Sequence, residues 1–497
     1  MITKRSKWSY AIGCTGRDMC YTLVSMFLLI YIQYTNLVNE KQFLVLSAII
    51  VLCRVWDAVN DPMMGTIISN TKTRFGKYRP WVLIGAITNA VFLVLMFTLR
   101  ADAANPNAGW INVGVIGGLY FLWGMTFTMN DVSYWSLLPA LSEDKEDRDK
   151  LTSMVAVFAS VGAFTAGGLV PTFTTGNAVN GYRVFGIVFA IVFVICQLLV
   201  FFFTHDNKQD KFMLSKEELA SEPKEKNITI KDMVKILIRN KQLLVMALVV
   251  LFYTTASGFL IAFGQNFFYF KFGYDGNLVF LFTVIYAAGT LVSQALFPAL
   301  TKKFKRDQIV KVSIFVTIIG YLAFLLIANL PINPDLCFAL LCVFAILVFG
   351  GQGVFYMAML IMLTNTIEYD EWNTGERNEA VTFSVRPFMV KLSGAIQAGI
   401  VSLTLVVCGL YAITEKVGKL ELSKNNGEIT QDVLNSTASS LLSQANDIQL
   451  FGLSAAMTIV PIILFVATYI IIKKKYIIDE DLYAKMTKEI AERKENL

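Results

Sequence analysis

The sequence predicts an all-α membrane protein, twelve transmembrane helices arranged in two six-helix halves. Three observations lead there. The 497 residues are 55% hydrophobic and only 16% charged, with a mean hydropathy of +0.57, too apolar for a soluble chain of this length. Apolar runs of about 20 residues, the length that crosses hydrocarbon as a helix, recur along the whole chain. The lysines and arginines lie in short clusters between those runs, so the net charge of +6 reads as topology and leaves no nucleic-acid footprint.

The runs occupy residues 10–34, 43–68, 81–99, 111–138, 151–173, 185–204, 243–269, 277–300, 310–330, 336–364, 380–413 and 450–472. Six precede a basic connector at 205–241 and six follow it. The expected plan is therefore a half at 1–204, the connector, a second half at 242–473 and a tail at 474–497. Basic residues crowd the N-terminus (Lys4, Arg5, Lys7), the even-numbered connectors and the tail, and are sparse in the odd-numbered connectors. Positive connectors stay in the cytoplasm, which places both termini and the middle connector there, in a multi-pass protein of the inner or plasma membrane. The first span is interrupted by Arg17 and Asp18 with no small-residue cleavage site after it, so it reads as a span and not as a cleaved signal. The second continues an uncharged run into Arg54-Val-Trp-Asp57-Ala-Val-Asn60-Asp61. The fourth carries Thr128-Met-Asn130-Asp131-Val-Ser-Tyr-Trp135, and the eleventh carries Arg386 and Lys391. One odd-numbered connector, 415–446, is long and polar. The tail spaces Leu482, Met486 and Ile490 helically among charges, the pattern of a solvated terminal helix.

Several functions drop out at this point. The seven cysteines lie in apolar segments without a C-x-x-C and read as inert core thiols. The single histidine, His205, rules out a histidine metal site or proton relay. No phosphate-binding Gly-rich loop, catalytic triad or metal cluster is present, so the chain does not read as an enzyme and calls for no organic cofactor. Nothing calls for a partner chain either, and the expectation is a monomer whose partners are the bilayer and small molecules.

What remains is the charge inside the spans. A charge at membrane depth costs roughly 2.5–3.5 kcal/mol on insertion scales and is a functional candidate by default. Asp57 and Asp61 share a helical face at a spacing of four, with Arg54 a turn away. Together with the Asn60 amide and the Thr128 hydroxyl they supply hard oxygen donors, suited to Na⁺ and not to soft metals. The same carboxylate pair can instead take a proton. Thr128, Asp131 and Trp135 line one face of span four. Carboxylates accept paired hydrogen bonds from vicinal hydroxyls and an indole stacks on a pyranose ring, so Asp18, Asp131, Trp135 and Lys391 point to a sugar.

The acidic-pair segment, Thr71-Lys-Thr-Arg74-Phe-Gly76-Lys77-Tyr78-Arg79-Pro80-Trp81, the WGMTFTMNDVSYWSLLPAL stretch, and NTIEYDEWNTGERNE followed by Lys391-Leu-Ser-Gly394 together resemble the glycoside–pentoside–hexuronide:cation symporters of the major facilitator superfamily. The likeness runs from about residue 9 to 473, apart from the middle connector and the 415–446 loop. It implies the major-facilitator fold and uptake of a glycoside with Na⁺ or H⁺ by alternating access. It also implies a cation site at Asp57, Asn60, Asp61 and Thr128, and sugar contacts at Arg17, Asp18, Asp131, Trp135 and Lys391. Arg74, Gly76, Lys77 and Arg79 resemble the family's cytoplasmic gating loop, with a faint echo at Lys302–Arg306. The chain also departs from the family's galactoside carriers. Ala156 stands where they place an arginine in span five, Phe127 replaces a tyrosine in span four, and Tyr356 replaces a tryptophan in span ten. Arg386, followed by Pro387, is a candidate to supply the missing cation, which would suit a pentoside, another glycoside or the carboxylate of a hexuronide. Readings outside this one are a lysolipid carrier or a proton-driven drug antiporter of the same fold, whose pocket would carry fewer paired charges. A membrane sensor or channel is the reading from another class.

Overall fold

The computed structural model describes residues 3–102, 104–141, 145–204, 235, 238–375 and 379–495. Most of the 205–241 connector with His205, and Glu376, Arg377 and Asn378 of the tenth-span motif, lie outside the described residues. Every regular element among the described residues is helical. In chain order they are α1 Lys4–Tyr34, α2 Glu40–Ser69, α3 Arg79–Thr98, α4 Ala108–Leu141, α5 Lys145–Thr174, α6 Ala178–Phe203, α7 Lys241–Phe272, α8 Gly276–Thr301, α9 Arg306–Ala328, α10 Pro334–Thr374, α11 Glu379–Val407, α12 Tyr411–Asn425, α13 Gln431–Leu442, α14 Asp447–Lys475 and α15 Glu480–Glu495.

Ten of these are long and apolar enough to cross a membrane, and α2 makes eleven if its two arms form one span. The expectation of twelve spans falls short by that test at α1, which carries Arg17 and Asp18 at its centre. Starts follow capping chemistry. Asn39 and Gln42 form a reciprocal capping box at α2, as do Asn446 and Gln449 at α14, and Asn333 caps α10 with Pro334 in its first turn. The apolar run at 380–413 is not one helix. Gly409 adopts φ 68°, a left-handed conformation that ends α11 and lets α12 begin at Tyr411.

The chain divides into two compact units: Met1–Asn227 with Gly273–Phe280 and Leu405–Ala445, and Ile228–Phe272 with Leu281–Thr404 and Asn446–Leu497. In the first, α1 packs against α5 and α6 at close range. A Cβ at Gly162 would lie 2.3 Å from the Thr15 carbonyl oxygen, the small-residue contact that helices use in lipid. Buried amides stitch the bundle: Asn89 donates to Trp123 O (2.8 Å), Asn130 to Val82 O (2.7 Å) and Gln197 to Gly13 O (2.7 Å). The polar 415–446 connector folds into α12 and α13 and docks on this unit. Tyr411 stacks on Phe43 and donates to Val38 O, while Glu421 accepts from the Ala178 amide (2.9 Å) and the Tyr274 hydroxyl (2.7 Å).

The second unit is an aromatic-rich bundle, with Phe268 against Phe282 and Tyr286 against Phe349. Its tail departs from the solvated helix the sequence predicts. Ile478, Met486 and Ile490 are buried, Trp372 donates to Glu489 (2.6 Å), and Arg493 donates to Trp372 O (2.8 Å). The apolar spacing that reads as one face of a free helix is the face that packs.

Candidate functional site

The acidic segment of α2 lies at a break in the helix. Pro62 lacks the N–H that would bond the carbonyl of residue 58, and the arms Glu40–Asp57 and Val59–Ile68 meet at 42°. The bend falls between Asp57 and Val59, so the two acids lie on either side of a bend in one helix. Thr128 of α4 donates to Asp61 Oδ1 at 3.0 Å. Asn60 is buried. Asp57 lies against Gly124 of α4, where a Cβ would come within 2.5 Å of Asp57 Oδ1. Arg54 is fastened to its surroundings, donating to the Tyr120 hydroxyl (3.0 Å) and to Ser25 O (3.3 Å). Among the described residues no group of three or more His, Cys, Asp or Glu could hold a metal. A hard cation here would rest on two carboxylates, an amide and a hydroxyl.

One turn along α4 a second cluster begins. Arg17 of α1, 4% exposed, pairs with Asp18 (3.0 Å) and with Asp131 (3.1 Å). Its guanidinium also lies over the rings of Tyr134 and Trp135, at 4.7 and 5.0 Å from their centroids. Tyr134 stacks on Tyr10 (4.4 Å), and each hydroxyl donates to the other's backbone carbonyl, which fixes α1 against α4 directly beneath the pair. Asp18 and Asp131 keep part of their surface open, and Trp135 is 42% exposed. The cluster is thus two accessible carboxylates steadied by one buried cation, beside an open indole. Sequence reasoning missed a residue in each cluster, Cys14 here and Gly124 beside Asp57. Cys14, read as an inert thiol, donates to Asp18 Oδ2 (2.9 Å) and accepts from Arg17 (3.1 Å); its spacing of four from Asp18 was the available signal. Gly124 gave none.

In the second unit Arg386 of α11 donates to the Tyr356 hydroxyl of α10 and lies over its ring at 5.6 Å. Its buried Nε has no hydrogen-bond partner among the described residues. Tyr356 stacks on Tyr253, which donates to Gln352 O (2.9 Å). Lys391, five residues further along α11, is partly buried.

The 71–81 segment is a tight turn. Thr73 accepts from the Phe75 amide and donates to Gly76 O (2.6 Å), and Gly76 has φ 87°. Arg79 is buried and is committed within the first unit, donating to Phe75 O (2.9 Å) and Thr204 O (2.5 Å) at the end of α6. Arg74 is exposed and Lys77 sits over Tyr78 at 5.0 Å.

The fold and these intramembrane charges define a class, the multi-pass transporters of the major-facilitator type. The fold matches, over 95% of the chain, a bacterial homologue of the human lysosomal transporter Spinster (TM-score 0.60, 13% identity, 98% of that chain) and a D-xylose–proton symporter (TM-score 0.59, 12% identity, 98% of that chain). Residues 9–480 match the family described as MFS/sugar transport protein, and the chain belongs to it, among the glycoside–pentoside–hexuronide symporters, a family of transporters and not of enzymes. It is 28% identical over 417 residues to a lactose permease of Lactobacillus delbrueckii subsp. bulgaricus, covering 82% of this chain and 63% of that one. A raffinose carrier protein of Pediococcus pentosaceus gives 28% over 420 residues (81% and 62%), and a glucuronide carrier protein homologue of Escherichia coli K12 gives 26% over 427 residues (83% and 85%). The chain thus spans less than two thirds of the lactose and raffinose carriers.

Proposed function

We propose that the protein is a cation-driven symporter that takes up a glycoside with Na⁺ or H⁺ by alternating access, with its termini in the cytoplasm of the cell that carries it. The observation that supports this most is the division of labour on one helix. Thr128 of α4 turns to Asp61, and Asp131, one turn on, turns to Arg17, which also holds Asp18. In this reading Asp57, Asn60, Asp61 and Thr128 take the cation. Asp18, Asp131 and Trp135 take the sugar, Arg17 orients the two carboxylates, and Tyr356, Arg386 and Lys391 complete recognition. Side chains three apart on a helix are about 5–6 Å apart at Cβ. Filling the cation site therefore changes the electrostatics and the tilt of the helix that presents Asp131, which is the differential interaction that coupling requires. In the 71–81 turn, Arg74, Gly76 and Lys77 act in gating, and Arg79 anchors the turn.

A second reading is favoured by one feature. Arg386 has a neutral tyrosine as its partner and a spare buried N–H, the donor set that a carboxylate would complete. That points to a hexuronide, and a relative named as a glucuronide carrier homologue is consistent with it. Counterflow of a panel of neutral glycosides and glucuronides into proteoliposomes, with and without Na⁺, tests both readings. Exchange of one class, stimulated by Na⁺ or by acid pH, is expected; exchange of none of them would overturn the proposal.

A further inference from the structure

The second unit carries a groove outside the residues proposed for the cation and the sugar. It runs between the end of α8 and the faces of α9 and α10, holds about 290 Å³, and is lined by Leu300, Phe304, Ile309, Val312, Ile346 and Gly350. Its walls are exposed apolar side chains: Val312 is 59% and Ile346 52% exposed. Two adjacent glycines give it its form. At Gly351 a Cβ would lie 2.3 Å from Thr317 Oγ1, so α9 and α10 close tightly behind the groove. At Gly350 a Cβ would meet nothing within 4 Å, so the floor is open because that residue has no side chain.

The mouth is basic. The turn Lys302-Lys303-Phe304-Lys305 joins α8 to α9, fixed by Lys303 and Phe304 amides donating to Leu300 O (3.0 Å each), and its three lysines are exposed. Arg306 is already engaged, donating to Ile478 O (2.6 Å) and, through its amide, to Glu480 (2.8 Å). Asp307 is the exposed acid of the first turn of α9 and offsets one of the three charges. A groove of chain width that opens under a ring of lysines at the end of the spans is complementary to one kind of molecule, an amphiphile with an anionic head.

We propose that this is a binding site for an anionic glycerophospholipid of the bilayer, with its phosphate on Lys302, Lys303 and Lys305 and an acyl chain along Val312, Ile346 and Gly350. Ordinary annular lipid solvates any apolar face whatever its head group. A site built in this way discriminates by head-group charge.

Phe304→Trp in the otherwise intact chain places an indole at the mouth, and the test compares its quenching by brominated phosphatidylglycerol and brominated phosphatidylcholine in proteoliposomes. Subtracting the parent protein's signal removes the native tryptophans. The expected result is half-quenching by the anionic lipid at a concentration on the order of tenfold lower than by the zwitterionic one. That preference should disappear when Lys302, Lys303 and Lys305 are all changed to Gln in the reporter protein, and Gly350→Phe, which fills the floor, should reduce quenching by both lipids. Equal quenching by the two lipids needs only the reporter to be seen and would overturn the proposal. A preference that survives the triple substitution, or undiminished quenching with Gly350→Phe, would do so as well.

Discussion

In the first unit a buried arginine is answered by acids: Arg17 lies between Asp18 and Asp131 and over two aromatic rings. In the second, Arg386 is answered by the neutral hydroxyl of Tyr356. Removing a charge from water is costly, and the cost is recovered by pairing and hydrogen bonds. Arg17 is compensated before any ligand arrives, so it can serve as a fixed support that aims two carboxylates. In the reading proposed above, the charge of Arg386 is left to be compensated by a ligand. Among the residues proposed for transport, the carboxylates Asp18, Asp57, Asp61 and Asp131 lie in the first unit while the second contributes Tyr356, Arg386 and Lys391, so the cation's site and the recognition of a substrate charge should be separable by mutation.

The largest expected effect tests the first half of that statement. Asp61→Cys removes a carboxylate that Thr128 holds at 3.0 Å, and Na⁺- or proton-driven accumulation should fall to the passive level. Exchange of sugar down its gradient should persist, since Asp61 is assigned to the cation and not to the sugar. Normal accumulation in vesicles containing this variant would merge the two roles and break the comparison.

Asp131→Asn keeps the shape of the side chain and lets Arg17 keep Asp18. Charge-assisted hydrogen bonds are worth about 1.5–3 kcal/mol each, so sugar affinity should drop on the order of tenfold to a hundredfold while the Na⁺ dependence of exchange is retained. Substrate-binding titrations at fixed Na⁺ measure this. Loss of Na⁺ dependence with affinity intact would move Asp131 into the cation site.

What the sequence made legible follows from what lipid forbids. Backbone must be satisfied within helices and charge is expensive, so spans appear as apolar runs and Arg17, Asp18, Asp57, Asp61, Asp131 and Arg386 stand out inside them. What stayed hidden depends on contacts between elements. Cys14 has the composition of a core thiol until Asp18 folds beside it, and Gly124 is one glycine among thirty-two until Asp57 comes against it. The docking of α12, α13 and α15 was equally unreadable, because a short amphipathic helix looks the same whether its apolar face meets solvent, a partner or its own chain. Arg79 counts among four gating residues by motif, and the motif does not show its hydrogen bonds to Phe75 O and Thr204 O, which tie it to the end of α6.

Arg386→Gln probes the second half of the comparison. If Arg386 awaits a substrate carboxylate, a glucuronide should lose on the order of tenfold in affinity and its neutral glucoside counterpart hardly any, since a hydrogen bond to a charged group is worth about 1.5–3 kcal/mol. Competition by this matched pair decides the matter. Equal losses would make Arg386 a packing element of α10 and α11 and would leave a neutral glycoside as the substrate.

The smallest effect concerns an acid that the first unit buries without a close cation. The Glu421 carboxyl accepts from the Tyr274 hydroxyl and from the Ala178 amide at the start of α6, with Lys424 one turn away on α12. Burial pushes its pKa up from the ordinary 4.5 to about 7, and those donors and Lys424 oppose the rise without cancelling it. The folded state therefore binds this proton more tightly than the unfolded chain does. The associated stability is complete below pH 4.5 and is lost as pH rises through about 7. Between about pH 6 and about pH 8 the loss amounts to roughly 1 kcal/mol, a shift of a degree or two in melting temperature for a protein of this size. Glu421→Gln keeps an acceptor for Tyr274 and removes the titration, so its melting temperature should be flatter over that range than the parent's. An identical slope in both proteins would mean that the buried carboxyl is already ionised at neutral pH. In that case its donors and Lys424 would hold Glu421 charged, and the contrast between Arg17 and Arg386 would be untouched.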